Sequence, residues 1–451
     1  MPTESTHQTA VGSPQNNILS AISVCILQGY TPRFLNYKNK HMKLKIIILS
    51  FILSLSFYTD ACTTAVISGK YTKDGRPLLW KNRDTWAINN IIRFFDDGKY
   101  ACIGLVNSKD LKGKSIWIGY NETGFAIMNS ASYNLNIGDG IKQTGHEGQL
   151  MKKALQNCKT LADFEAMLDS IPKPTRLEAN FGVIDGNGGA AYYELNNKGY
   201  VKFNANDPKV APFGYIIRTN YSHTGKLGTE SSGYIRYNTA NELFYNAVST
   251  NTMDAQFISR KVSRTLYHSL IKEDLYQKYG NRPANTPAFA AFGDYIPRTG
   301  SSSSVVIQGV KKNENPDNTM MWATVGFPLT SIAIPVWIKT KNKFPDILKY
   351  NKKIEDSPIC NAALTLKKQC FPIRWGKYER RYLNVNAISN AEGTGITQII
   401  KPYENKIFSK GNRLIDEMRN NTVSKSKIED YYTWVNAYVK KMYKKEFNLD
   451  L

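Results

Sequence analysis

The chain has 451 residues, of which 42% are apolar and 12% aromatic, with 31 Gly and 18 Pro. This composition is typical of a globular protein and excludes a disordered, fibrous or collagen-like chain. Lys plus Arg (59) exceed Asp plus Glu (37), which gives a net charge of +22, but no basic run is interleaved with aromatic residues. A solvated basic surface is therefore favoured over nucleic-acid binding. Six cysteines without a CxxC pair argue against a zinc ribbon or a thioredoxin-type site.

The N-terminal segment differs from the rest of the chain. Residues 1–41 are polar and patternless, whereas residues 42–61 have a basic start, an apolar run and a short polar end at Ala61. This is the order and size of a secretory signal peptide, and the apolar run is too short to span a bilayer. We expect residues 1–41 to be a gene-model extension and cleavage to fall between Ala61 and Cys62. The mature protein would be exported, periplasmic or secreted, without a stable membrane span; a membrane-anchored N-terminus is the alternative.

Cleavage at this bond would make Cys62 the first residue of the mature protein. A free α-amine has a pKa of about 7.7–8.0, so much of it is neutral near pH 7.5 and can accept the thiol proton. One residue would then supply both nucleophile and base. The alternative is a lipoprotein that is acylated on this cysteine, but the preceding Thr-Asp-Ala fits a lipoprotein signal poorly.

The chain after Cys62 predicts a β-hairpin. Residues 62–67 are rich in β-branched side chains, residues 73–77 read Lys-Asp-Gly-Arg-Pro, and residues 78–84 form a second strand. Because a hairpin returns the chain beside its start, Asp84 or its neighbours can reach Cys62.

Strand pairs and helix pairs alternate along the following sequence. Apolar residues at helical spacing predict helices over residues 145–157, 161–171, 233–249, 253–272 and 424–446. The alternation predicts an α+β fold over residues 62–339, in which two antiparallel sheets lie between helical layers in an αββα sandwich. Residues 340–451 are Lys-, Asn- and Tyr-rich and are predicted to be a helical C-terminal extension that packs on this core.

Two further features concern the rest of the chain. Cys360 and Cys370 are ten residues apart in a protein expected to be exported, which makes them a candidate disulfide. The sequence has no P-loop, dinucleotide fingerprint or metal-ligand cluster, so no cofactor and no metal are expected.

The N-terminal motifs resemble a known enzyme family. Cys-Thr-Thr at a processed N-terminus, then Asp-Gly-Arg, and Asn82-x-Asp84 at the end of the second strand are similar to the choloylglycine hydrolase group of N-terminal nucleophile (Ntn) hydrolases. That group includes bile salt hydrolases, penicillin V acylases, acid-ceramidase-like amidases and the isopenicillin N acyltransferase branch; the last, with its carcinine-hydrolase-like members, is the most similar. Further similar segments are 117–130, 180–194, 218–223, 232–236, 301–309 and 321–328.

The resemblance implies roles for five residues. Cys62 would be the nucleophile, and Asp84 would hold the α-ammonium group, with a strand-end cap as its alternative. Asn220 would donate a side-chain N–H to the oxyanion hole and Asn129 would add a donor, in relatives usually its backbone N–H. Buried asparagines that satisfy local turns are the alternative for both. Arg236 would place a permanent charge beside the cysteine, unless it lies on the surface of its helix.

The second strand departs from the family pattern. Relatives often carry Arg-Asn-x-Asp, whereas this chain has Lys81 at the arginine position and Arg83 at the variable one. By the two-residue period of a strand, Arg83 shares the face of Lys81 and points away from that of Asp84. Lys81 and Arg83 are candidate substrate-binding residues.

The sequence therefore predicts an exported amidohydrolase that cleaves a non-peptide C–N bond of a small-molecule amide through an acyl-enzyme on Cys62. An acyltransferase of the isopenicillin N type would use the same acyl-enzyme. A lipoprotein binding module anchored through Cys62 is the alternative from another class. Bile salts, penicillins, N-acyl amino acids and β-alanyl amines all stay open as substrates, as does a homo-oligomer; no nucleic-acid partner is expected.

Overall fold

The computed structural model describes residues 62–228, 233–373, 382–420 and 423–451. The predicted signal peptide and Ala61 lie outside the described residues. Within those ranges, no helix is both long enough and apolar enough to cross a membrane.

Strands and helices alternate as the sequence patterns predict. The strands are β1 (Thr63–Ile67), β2 (Leu78–Asp84), β3 (Asn90–Phe95), β4 (Cys102–Asn107), β5 (Ile118–Asn121), β6 (Ala126–Ala131), β7 (Ala179–Ile184), β8 (Ala190–Leu195), β9 (Tyr200–Asn204), β10 (Tyr215–Arg218), β11 (Tyr267–His268), β12 (Glu273–Asp274), β13 (Phe289–Ala291), β14 (Ser301–Gln308), β15 (Met320–Val325), β16 (Ile334–Val336) and β17 (Tyr382–Asn384). The α-helices are α1 (Glu147–Asn157), α2 (Leu161–Asp169), α3 (Tyr234–Ser249), α4 (Ala255–Phe257), α5 (Leu275–Tyr279), α6 (Pro358–Cys370), α7 (Ile396–Arg419) and α8 (Lys425–Phe447). Short 3₁₀ turns cover Gly69–Tyr71, Pro316–Asn318, Ile338–Thr340, Asp346–Leu348 and Val385–Ala387.

Two large antiparallel sheets form the centre of the fold. The first sheet has the order β10-β1-β2-β14-β15-β16, and the second is a meander in the order β3-β4-β5-β6-β7-β8-β9. The predicted hairpin is present, because β1 pairs with β2 from Thr63 opposite Asn82 to Ile67 opposite Leu78. This hairpin places the first residues of β1 beside the last residues of β2.

The two sheets pack face to face. Strands β1 and β2 contact β6 and β7 of the second sheet, and β1 also contacts β8. Apolar side chains that alternate along the strands, such as Val66, Leu79 and Met128, fill the space between the sheets and are fully buried. The period of two therefore decides which residues of β1 and β2 face the second sheet.

Helices cover both outer faces of the sandwich. Helix α1 packs on β5 and β6 of the second sheet. Met151 and Leu155 of α1 and Phe164 of α2 are buried among strand residues there. Helix α3 packs on β10 and α6 on β15 of the first sheet. The predicted α+β architecture of four layers, αββα, is confirmed by this packing.

One predicted helix is wrong over half its length. Helical structure begins at Ala255 as predicted but ends in a π-helical turn, Ile258–Val262, and the chain then forms the short ladder of β11 and β12. Arg264, just after the turn, donates hydrogen bonds to buried oxygens of distant segments, which include the carbonyl of Pro328. Tertiary contacts therefore override the local helical spacing.

The candidate disulfide is also wrong. Cys360 and Cys370 lie at the two ends of the single helix α6, and both are free. Ten residues of α-helix separate two Cα atoms by about 15 Å, whereas a disulfide needs less than about 7 Å. The spacing in sequence gave no indication that one helix would hold both.

The C-terminal helices pack on the sandwich through buried polar contacts. Tyr432 of α8 accepts a hydrogen bond from the backbone N–H of Trp337 (2.6 Å), and Tyr443 donates to the carbonyl of Thr330 (3.1 Å). Arg264 forms a bidentate ion pair with Glu404 of α7, with N–O distances of 2.8 and 2.7 Å. Both partners of this pair are buried.

We expect the change Glu404→Gln to lower the free energy of unfolding by about 3–5 kcal/mol, because it leaves the Arg264 charge buried without its counter-charge. Glu429→Gln is the matched control, since Glu429 pairs with an exposed lysine, Lys343, and should change stability by less than about 1 kcal/mol. Urea denaturation of both variants measures the difference. Equal, small losses would show that the α7 contact does not stabilise the sandwich.

Candidate active site

Cys62 lies immediately before β1, at the edge of the space between the sheets, and is buried. Its backbone N–H donates to Asn220 Oδ1 at 3.0 Å, and its carbonyl oxygen accepts from Arg236 Nη1 at 2.6 Å. Arg236 Nη1 also donates to Thr63 Oγ1 at 2.8 Å. Backbone atoms on both sides of the Cys62 Cα are therefore held by side chains that lie more than 150 residues away in sequence.

Arg236 lies in the first turn of α3 and is completely buried, so the surface alternative for this residue does not apply. Its Nη2 donates to Asn220 Oδ1 at 2.8 Å. Burial, assisted by the neighbouring Arg298 guanidinium, lowers the pKa of Arg236 to about 10, against the attraction of Asp84. The side chain therefore still carries its positive charge at neutral pH.

A glycine makes room for this arginine. Gly233, the residue that precedes α3, has φ +93°, and a Cβ built on it would lie 2.3 Å from Arg236 Nη2. Both the left-handed backbone and the close approach require glycine at this position.

Asn220 follows β10, the strand that pairs with β1, and is completely buried. Its Oδ1 accepts from both Cys62 and Arg236, while its Nδ2 donates to the carbonyl oxygen of Ala131 at 3.1 Å. The resemblance implied only a donor role toward an oxyanion, whereas the structure also makes this amide the acceptor for the Cys62 backbone nitrogen. The oxyanion role stays a prediction.

Asp84 is the last residue of β2 and is buried on the face of the first sheet opposite to the second sheet. Ser301 Oγ donates to Asp84 Oδ1 at 2.5 Å, and Arg298 Nε lies 3.8 Å from Oδ2. Oδ2 has no hydrogen-bond partner among the described residues. A bulge in the pairing between Ser301 and Ser303 lies opposite this end of β2. Burial raises the pKa of the Asp84 carboxyl, and the arginines Arg298 and Arg236 oppose this shift.

A lysine of the predicted C-terminal extension reaches the same region. Lys367 of α6 donates to the carbonyl oxygen of Thr299, which lies inside the turn closed by the hydrogen bond from Ser301 N–H to the carbonyl of Arg298. This turn supplies Ser301 and Arg298, and Asn82 of β2 adds a hydrogen bond from its Nδ2 to Asp84 Oδ1 at 3.3 Å. Sequence reasoning missed these residues; the turn signal Pro-Arg-Thr-Gly before a run of four serines is the one pattern that marked the segment.

The opposite face of the same two strands carries the other predicted residues. Lys81 is buried and its Nζ donates to Asn129 Oδ1 at 2.7 Å and to the carbonyl oxygen of Trp117 at 3.0 Å. Arg83 is buried too, and its Nη1 donates to Asn90 Oδ1. The prediction that Lys81 and Arg83 share one face is confirmed by their common contact with the Trp117 ring.

The side chains of β1 also alternate between the two faces. Thr63 receives its hydrogen bond from Arg236 on the helical side, whereas Thr64 Oγ1 lies 2.5 Å from the hydroxyl of Tyr192 in the second sheet. Cys62 precedes Thr63, and continuation of this alternation back from β1 would direct its thiol toward the second sheet. Burial raises the pKa of the Tyr192 hydroxyl, and Cys62 contributes to this shift.

The structure thus brings Cys62, Asn220 and Arg236 into direct contact. It places Asp84 on the helical face of the same sheet, and Lys81, Arg83 and Asn129 on the side of the second sheet. No three His, Cys, Asp or Glu residues among those described are grouped so that they could hold a metal ion. The groups available for chemistry are a thiol, a backbone nitrogen that cleavage would turn into an amine, and hydrogen-bond donors around them.

Comparison with known proteins gives matches among solved structures. No protein-family model and no curated protein sequence matches the chain. A variant of the conjugated bile acid hydrolase from Clostridium perfringens aligns at 12% identity and a TM-score of 0.37 over 62% of this chain and 94% of its own. Penicillin V acylase from Agrobacterium tumefaciens aligns at 12% identity and a TM-score of 0.35 over 61% and 86%.

The Caenorhabditis elegans orthologue of N-acylethanolamine-hydrolyzing acid amidase aligns at 16% identity and a TM-score of 0.31 over 41% of this chain and 79% of its own. The sheet order and packing of this chain, and not these alignments, carry the assignment of its fold.

Proposed function

We propose that this protein is an exported Ntn amidohydrolase that hydrolyses a non-peptide amide bond of a small molecule through a thioester on Cys62. The observation that carries the proposal is the environment of the Cys62 backbone nitrogen. This nitrogen is bound by Asn220, beside a buried Arg236, at the start of the central strand of an αββα sandwich. A nitrogen held in this way becomes a positioned base once the preceding peptide bond is cleaved.

The reaction would proceed in two steps. The Cys62 sulfur attacks the amide carbonyl carbon while its proton passes to the α-amine, and the carbonyl oxygen becomes an oxyanion. The C–N bond then breaks, the leaving nitrogen takes the proton from the α-ammonium, and a thioester remains. Water attacks the thioester with the same amine as base, which releases the carboxylic acid and restores the thiol.

The surrounding residues support each step by what they contact. Arg236 fixes the Cys62 carbonyl and Asn220, and thereby the direction of the amine. Asp84 offers a buried carboxylate on the adjacent strand β2, which would favour the transient α-ammonium charge. We assign the developing oxyanion to donors from Asn220 and the backbone of Asn129.

Maturation is the first experimental test. Intact-mass measurement and N-terminal sequencing of the exported protein should show Cys62 as the first residue, with an unmodified amine. Incubation with an accepted amide, followed by acid quench, should add the mass of the acyl group to the peptide that contains Cys62.

The same masses discriminate between the alternatives. An N-terminus upstream of Ala61 in active enzyme would contradict the one-residue mechanism, and a diacylglyceryl group on Cys62 would favour the lipoprotein binding module. Product analysis in the presence of an added amine would reveal acyl transfer as a new amide.

A further inference from the structure

Two buried cations occupy the thiol side of β2. Arg83 Cζ lies 4.6 Å from the centroid of the Trp117 ring, and Lys81 Nζ lies 5.8 Å from it. Both side chains are at most 3% exposed. Two positive charges on one buried strand make this side of β2 strongly electropositive.

Arg83 lies next to the nucleophile across the sheet. The pairing of Thr63 with Asn82, extended by one residue, sets Cys62 opposite Arg83. On its other side, Arg83 pairs with Ser303 of β14. The residues Cys62, Arg83 and Ser303 therefore form one row that faces the second sheet.

Two buried donors around Arg83 have no hydrogen-bond partner among the described residues. They are the indole Nε1 of Trp117, whose ring stacks with Arg83, and the hydroxyl of Ser303. An unsatisfied buried donor has lost its hydrogen bonds to water without replacing them, so native structures seldom keep one without a reason. A guanidinium, an indole N–H and a hydroxyl together suit a carboxylate.

The orientation of Cys62 decides which part of the substrate would meet this row. Its nitrogen points toward Asn220 after β10, and the leaving amine must lie on that side to receive its proton. Strand β2 flanks Cys62 on the other side, because β1 lies between β10 and β2 in the first sheet. The acyl group of the substrate is therefore the part that extends toward Arg83.

We propose that Arg83, together with Trp117 and Ser303, forms a subsite for a carboxylate on the acyl portion of the substrate, so that the preferred substrates are amides of dicarboxylic acids or similar anionic acyl groups. The proposal rests on the proposed function, because it assigns the acyl side of the same thiol. Lys81 adds positive charge at the base of the subsite.

Alkylation of the Cys62 thiol tests the subsite without any turnover. Iodoacetate and iodoacetamide differ by one negative charge. The ratio of their rate constants at Cys62 therefore reports the electrostatic potential around the thiol. In the native, processed protein the rate constant for iodoacetate divided by that for iodoacetamide should be at least about tenfold higher than in urea-unfolded protein. One charge-assisted hydrogen bond to the iodoacetate carboxylate accounts for a factor of this size. Mass spectrometry of the peptide that begins with Cys62 gives both rates.

Variants then assign the effect to Arg83. Arg83→Met should lower the ratio by about tenfold relative to wild type, and Arg83→Lys should keep most of the selectivity. Arg93→Met is the matched control, because Arg93 stacks on Phe95 in the second sheet, 5.2 Å from the ring centroid, and should leave the ratio unchanged. A native ratio equal to the unfolded one, or the same ratio in Arg83→Met as in wild type, would overturn the subsite.

A pair of chromogenic amides separates failure of the subsite from failure of the proposed function. N-glutaryl p-nitroanilide should have a kcat/KM at least about tenfold above that of N-pentanoyl p-nitroanilide, and Arg83→Met should abolish this preference. Hydrolysis of both anilides with no preference for the anionic one would overturn the subsite alone. Selective alkylation with no hydrolysis of any amide would overturn the hydrolase assignment and leave the subsite supported.

Discussion

Replacement of Cys62 by alanine is expected to lower kcat for any accepted amide by at least about 10⁴-fold, because removal of a nucleophile eliminates the covalent route. Cys62→Ser keeps the α-amine base but supplies a hydroxyl that is a much weaker nucleophile at neutral pH, so its rate should lie between those of alanine and wild type. Steady-state hydrolysis per folded molecule, with folding checked by thermal melting, is the measurement.

Cys158→Ala is the matched control for this prediction. Cys158 is equally buried and follows α1 on the outer side of the second sheet, away from the β1 N-terminus. Its replacement should leave turnover per folded molecule unchanged. Full activity in Cys62→Ala would refute the nucleophile assignment.

Asn220→Ala is expected to have the second largest effect. Loss of a preorganised oxyanion donor lowers kcat by about 10²–10³-fold, with little change in KM because the interaction is absent in the ground state. The structure adds a stability cost, because Cys62, Arg236 and Ala131 each lose a hydrogen-bond partner. About 1–3 kcal/mol of unfolding free energy should be lost as well.

Two further variants distinguish catalysis from structure at this position. Asn134→Ala removes a comparably buried amide that bonds Ser222 and should lower stability without lowering kcat per folded molecule. Asn220→Asp keeps the acceptor oxygen for Cys62 but replaces the donor nitrogen, so its kcat should also collapse. A reduced melting temperature with near-normal turnover in both Asn220 variants would remove Asn220 from the oxyanion hole.

The C-terminal helices contribute to the candidate active site through a contact chain from α6 to Asp84. Lys367 holds the turn that contains Arg298 and Ser301, and these two residues hold Asp84. The extension therefore does more than cover apolar surface, since one of its side chains supports the wall of the candidate site.

Several features followed directly from the sequence. The β-branched run after Cys62 and the Asp-Gly-Arg-Pro turn predicted the β1–β2 hairpin, and helical spacing predicted α3 and α8 to within about two residues. The period of two also predicted that Arg83 and Lys81 share a face. These are local properties, because each depends on backbone preferences and apolar periodicity over a few residues.

Other features were decided by tertiary structure alone. The helix predicted over residues 253–272 ends early, with Arg264 bound to Glu404 140 residues later, and Cys360 and Cys370 are kept apart by the rise of one helix. A local sequence pattern does not predict which distant group a buried polar side chain will bind. The sequence alone therefore determined the β1–β2 hairpin, several of the helices and a candidate nucleophile. Packing of the layers decided that Asn220 and Arg236 hold Cys62, because only the folded chain brings such partners within hydrogen-bond distance.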